Sequence, residues 1–158
     1  MDILRRAFPA CLIALLSCGL VGCKEDVGKT VAAACKADQS KDAKQFQGTW
    51  KLVSATWNGE AQKGDVRWLV DADSYTVRLK GADLERNSFK LDPCQKHIDV
   101  FHHEVPKGTY GGSLKGIYEI EGDLLKVAYD PTARQYPRSL GAAPGSRLVF
   151  YEFRRESR

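Results

Sequence analysis

From Phe46 to the end of the chain, apolar side chains recur at every second position in short runs, and the runs are broken by turn-forming residues. A strand sends successive side chains to opposite faces, so this alternation describes strands with one face buried and one face wet. Tyr75, Val77 and Leu79 against Thr76, Arg78 and Lys80 are the cleanest case. The same pattern joins Trp50 to Leu52, Val66 to Trp68 and Val70, Phe89 to Leu91, and Ile98 to Val100. It continues with Leu114, Gly116, Tyr118 and Ile120, then Leu125, Val127 and Tyr129, and finally Val149, Tyr151 and Phe153, opposite Glu152 and Arg154. Asn58-Gly59, Asp71 to Ser74 and Glu121-Gly122-Asp123 supply tight turns, and Pro131 to Ser146 is one long loop. No stretch holds a helical period long enough to compete. About eight strands with short links and no obvious free edge predict an all-β fold: a small antiparallel up-and-down β-barrel. A barrel of that size holds its own side chains or one small ligand.

The chain ahead of this domain has a different character. Residues 24–45 are rich in Lys, Asp, Ala and Gln and poor in large apolar groups, which predicts a solvated tether with a helical turn around Val31 to Ala37. Before it, Arg5 and Arg6 precede an apolar stretch from Pro9 to Leu20, too short for a permanent membrane span and suited to a signal-peptide core. The stretch ends in Leu20-Val21-Gly22-Cys23, which resembles the lipobox of bacterial lipoproteins. The alternatives are an uncleaved anchor or a plain signal peptide, but positive region, apolar core and lipobox occur here in the right order. The reading is therefore residues 1–22 as signal peptide, 23–45 as lipidated Cys23 plus tether, and 46–158 as the barrel domain. Lys24, in place of an aspartate that would favour inner-membrane retention, points to an outer-membrane lipoprotein facing the periplasm.

Loss of residues 1–22 lowers the formal charge of +4 by one. A small excess on a mixed-sign surface argues against nucleic acid as a partner, as does the cell-envelope address. Of the five cysteines, Cys11 and Cys18 leave with the signal peptide and Cys23 takes the lipid. Cys35 and Cys94 remain, either as a disulfide suited to an oxidising compartment or as two unrelated thiols.

Gly48-Thr49-Trp50 on the first strand resembles the Gly-x-Trp of lipocalins. The wider pattern is FQGTWKLVSATWNGE, then FKLDP with HIDV close behind, then LKGIYEIEGDLLKVAYDP. Across residues 46–154 it resembles a lipocalin-like domain family of bacterial proteins first noted in planctomycetes. The family's Arg-Pro near the end is not intact here, since Arg134 is followed by Tyr136-Pro137-Arg138. The resemblance implies a lipocalin-like barrel closed at one end by Gly48 and Trp50, with an arginine of the last strand packed over the indole. Arg154 is the candidate, with Arg155 next. It implies no particular activity.

No catalytic constellation emerges. His97, Asp99, Phe101 and His103 share one strand face, but no third ligand is spaced to complete a metal site, and an outward polar face explains them. There is no nucleophile elbow and no phosphate-cradling glycine loop. The expectation is a protein that is not an enzyme and carries no cofactor and no metal. Trp50, Trp68, Tyr75, Tyr118 and Tyr129 project inwards, either as packed core or as the lining of a pocket for a small hydrophobic ligand. Trp57 alternates onto the face opposite Trp50. Two functions compete: a membrane-anchored barrel that binds a small hydrophobic ligand, and a solid-core envelope interaction protein (inhibitor or scaffold) that meets a protein partner through its loops.

Overall fold

A computed structural model describes residues 40–103, 112–132 and 135–157. Residues 40–46 are helical (α1) and nine strands follow. These are β1 Gly48–Trp57, β2 Glu60–Gln62, β3 Val66–Asp71, β4 Ser74–Leu79, β5 Ala82–Asp92, β6 His97–His102, β7 Ser113–Glu121, β8 Leu124–Asp130 and β9 Val149–Arg155. Each pairs antiparallel with its neighbour, and β9 returns to β1, so β1 and β3 to β9 close an eight-stranded up-and-down barrel. The alternation in the sequence is met in all eight. The three-residue β2 is an addition, folded back on the far end of β1 through the Asn58-Gly59 turn. Both turn residues have positive φ, 53° and 83°, as this tight hairpin connection requires.

The β1–β9 seam is irregular between Leu52 and Ser54, where Val53 is the extra residue of a bulge. A bulge shifts the parity of everything beyond it. Ala55 rather than Ser54 then pairs inward beside Tyr151, and Trp57 comes into register with Val149. Trp57 therefore has the inner-face parity at the end of the barrel, where it is 58% exposed. The simple alternation had assigned it to the opposite face.

The two ends of the barrel differ. At one end α1 forms a plug. Phe46 is fully buried, with its ring 4.9 Å from Phe89 and edge-on to Tyr118 at 5.9 Å. Asp42 is also buried, where it accepts hydrogen bonds from Tyr118 Oη at 2.6 Å and Lys96 Nζ at 2.7 Å. Trp50 Nε1 donates to the Phe46 carbonyl at 2.8 Å. Gln47 grips the β3–β4 turn, accepting from Ala72 N and donating to Ala72 O. A helix this short has little stability of its own, so its packing on the barrel holds it. Composition had grouped residues 40–45 with the tether; in the structure they cover the barrel end.

The last strand supplies the rest of the cap. Arg155 Cζ lies 4.1 Å from the Trp50 ring centroid, and the guanidinium donates to the carbonyls of Gln45 and Gln47. Arg154, the expected residue, is exposed on the outer face. Strand parity explains the correction: Phe153 points inward, so Arg155, two positions on, shares its face and stands in register with Trp50. Gly48 is required twice over, for its φ of +112° and because a Cβ would meet the Arg155 guanidinium at 3.0 Å.

Candidate functional site

At the end remote from α1 the interior is not filled. A cavity of about 280 Å³ lies between the first residues of β3, β5, β7 and β9 and the last residues of β4, β6 and β8. This volume sits near the lower bound of small-molecule sites, roughly 300 Å³. Trp68, Tyr75, Tyr129 and Tyr151 supply the aromatic lining, and Glu85 and His102 the polar lining. Trp68 stacks on Tyr75 at 4.5 Å between centroids, with Tyr151 5.9 Å and Tyr129 6.3 Å from Trp68.

Cross-strand register builds this site. Tyr75 of β4 stands opposite Asn87 of β5, and Asn87 opposite His102 of β6, so three polar side chains run side by side across the inner face. Glu85 occupies the next inward position of β5 towards the barrel end, opposite Val77. On the other wall Tyr129 pairs with Gly116, and this glycine is what seats the ring. A Cβ at position 116 would come within 2.6 Å of the Tyr129 ring and 2.8 Å of the Ala128 carbonyl.

Asn87 is fully buried, and its side-chain amide interacts with the Tyr75 hydroxyl. The buried Tyr129 hydroxyl interacts with that of Tyr75 as well, and His102 Nδ1 lies 3.9 Å from Glu85 Oε2. Burial, followed by the field of the Glu85 carboxylate, holds the Tyr75 hydroxyl protonated far above its ordinary range. Burial also raises Tyr129 and Tyr151, with Glu85 contributing to both.

The structure thus brings together three of the five aromatics expected to line a pocket: Trp68, Tyr75 and Tyr129. Trp50 and Tyr118 do not reach the cavity. They belong to the plugged end, bonded to α1 as described above. Glu85, His102 and Tyr151 complete the lining, and Asn87 is buried opposite Tyr75 next to it. Sequence reading stopped the inner face of β5 at Phe89 and that of β6 at Val100, where the apolar residues ended. Continuing the two-residue period by one or two steps reaches Asn87, Glu85 and His102.

The outward strand face with His97 and Asp99 has a different task. Tyr136 from the long connection lies flat on the His97 ring at 3.7 Å, and its hydroxyl donates to Asp99 at 2.8 Å. Lys115 Nζ sits over the Tyr136 ring at 4.7 Å. Further along, Gly145 N donates to Asn58 Oδ1, and Pro144 packs so closely on Gly59 that no side chain fits there. Two points of the Pro131–Ser146 segment are therefore fastened to the barrel wall. No group of three His, Cys, Asp or Glu side chains that could hold a metal ion occurs among the described residues. Nor is any helix among them long and apolar enough to cross a membrane.

Cys94 is disulfide-bonded and occupies the β5–β6 turn, where its amide nitrogen donates to Asp92 Oδ1. Its expected partner Cys35, the lipidation site Cys23 and the whole signal segment lie outside the described residues. No protein-family model matches this chain, and no curated protein or solved structure matches it significantly.

Proposed function

We propose that this chain is a lipid-anchored envelope lipoprotein whose barrel binds a small, largely apolar ligand in the cavity at the end opposite α1. The observation that carries the binding half is the open cavity inside the barrel, lined by Trp68, Tyr75, Tyr129 and Tyr151. Interiors are otherwise packed to the density of organic crystals, so an open-mouthed recess inside the barrel is space that a ligand can take. A pocket of this kind fixes a ligand by apolar contact and orients it with a few polar atoms. The anchoring half is supported by the order of Arg5-Arg6, the apolar core and the lipobox at Cys23. The Gly48–Trp50 motif and the barrel topology also support a lipocalin-like role, by analogy of fold.

Native mass spectrometry of the protein purified in mild detergent tests the binding. A co-purified small molecule, lost on denaturation, is the expected result. A clean protein mass, together with no uptake of neutral aromatic probes at millimolar concentration, defeats it. Metabolic labelling with a radioactive fatty acid tests the anchor, with label expected on the parent and none on Cys23→Ser.

Partner binding is the second reading, and the exposed Trp57 beside the Asn58-Gly59 turn is the observation in its favour. Ligand loss on enlarging cavity residues points to the first reading, and loss of function confined to Trp57 or the 135–148 segment to the second.

A further inference from the structure

The cavity lining has a charge character that narrows its ligand, given that the cavity is a binding site as proposed above. Glu85 is the one carboxylate among the described lining residues, and that lining contains no lysine or arginine. The Glu85 side chain is 22% exposed, and among the described residues no lysine or arginine forms an ion pair with it; His102 Nδ1 lies 3.9 Å away. Around it stand four aromatic rings at mixed inclinations, with Tyr129 and Tyr151 edge-to-face at 6.3 Å and Trp68 between Tyr75 and Tyr151. Glu85 helps to raise Tyr75 and Tyr151, after burial, and contributes least of the causes at Tyr129.

Ring faces attract cations through their quadrupole, and the attraction grows where water is excluded. A carboxylate lining an aromatic cavity that holds no lysine or arginine is thus complementary to an ammonium group. The same arrangement disfavours an anionic head group, because the described lining has no lysine or arginine to offset a second negative charge. The Tyr129 and Tyr151 hydroxyls in the lining offer neutral hydrogen bonds without changing that sign.

We infer that the cavity selects an organic ammonium ion, an amine carried on a single ring or a short apolar stem, and rejects carboxylates of the same shape. Its volume of about 280 Å³ accommodates one ring with a short chain and leaves no room for a long acyl tail. Glu85 supplies the charge recognition, and Trp68, Tyr75, Tyr129 and Tyr151 hold the apolar part.

Three probes of matched shape test this by calorimetric titration into the purified protein at neutral pH and low salt: 2-phenylethylammonium, 2-phenylethanol and 3-phenylpropionate. The ammonium is expected to bind most tightly, with the carboxylate weaker by at least about tenfold. Glu85→Gln is expected to remove most of that preference, while Glu60→Gln on the exposed β2 leaves it intact. Equal binding of all three probes, or a preference for the carboxylate, overturns the charge selection and leaves the hollow-barrel reading standing. No binding of any of the three overturns both. The series on the unmodified protein decides the matter even if Glu85→Gln fails to fold.

Discussion

The Arg155 guanidinium lies over the Trp50 indole, Cζ to ring centroid 4.1 Å, while its N–H groups hold the carbonyls of Gln45 and Gln47 at the end of α1. One side chain thereby ties the last strand to the first strand and to the plug. Arg155→Ala removes a cation–π contact and two charge-assisted hydrogen bonds, for an expected loss of about 2–3 kcal/mol. Arg154→Ala, on the exposed outer face, is expected to stay within about 0.5 kcal/mol of the parent. Urea unfolding of the two variants measures both, and equal losses contradict the assignment of the capping role to Arg155.

Asp42, Tyr118 and Lys96 form a small network beneath the same plug. Tyr118→Phe leaves the buried carboxylate one donor short and is expected to destabilise by about 1–2 kcal/mol. Combined with Asp42→Asn, a double-mutant cycle is expected to return a coupling of about 0.5–3 kcal/mol. Strict additivity means that the plug is not seated through this bond.

Gly116 makes room for the Tyr129 ring. Gly116→Ala forces that ring into the cavity or the strand outward, at an expected cost of about 1–3 kcal/mol. Quenching of Trp68 fluorescence by cavity-bound probes should weaken in parallel. A variant with unchanged stability and unchanged probe binding shows that the ring has other space.

Alkaline pH provides a test of the buried phenols. An unfolded tyrosine gives up its proton near pH 10, whereas burial lets Tyr75 and Tyr129 hold theirs well above it and raises Tyr151 too. Above pH 10 the unfolded chain therefore binds fewer protons than the folded one, and stability falls as pH rises. Below pH 10 this contribution is fully retained. The steepest loss is about 1.4 kcal/mol per pH unit for each such tyrosine. Phenolate absorbance followed from pH 9 to 12 should show these three ionising only with unfolding; reversible titration of all tyrosines near pH 10 in the folded state excludes their burial.

The disulfide at Cys94 predicts a two-hydrogen mass gain on reduction. A non-reduced digest is expected to recover Cys94 joined to Cys35, and Cys94→Ser to lower stability by about 2–4 kcal/mol. Recovery of both cysteines as separate free-thiol peptides refutes the pairing.

Much of the barrel is legible because the period of a strand is written directly into the spacing of its apolar residues. Tyr75-Val77-Leu79 and Leu125-Val127-Tyr129 needed no tertiary information to be placed. The site was only half legible, because its polar members interrupt the hydrophobic pattern by which inner faces are recognised. Glu85, Asn87 and His102 sit at positions that parity assigns to the interior and composition assigns to the surface. The bulge at Val53 hid the position of Trp57 for a related reason: a single extra residue reverses parity without any mark in the hydrophobic spacing.

By itself, then, the sequence determined an all-β chain, its eight principal strands, the faces they bury, and the glycine and tryptophan that begin the barrel. Alternation and turn chemistry are local, and they suffice for that. The closed structure decided which inward aromatics are packed and which surround open space. That division depends on how register carries each strand around the barrel, bringing Arg155 beside Trp50 and Asn87 beside His102. It also depends on α1, a helix too short to persist alone, which closes one end only because Phe46 and Asp42 find partners there.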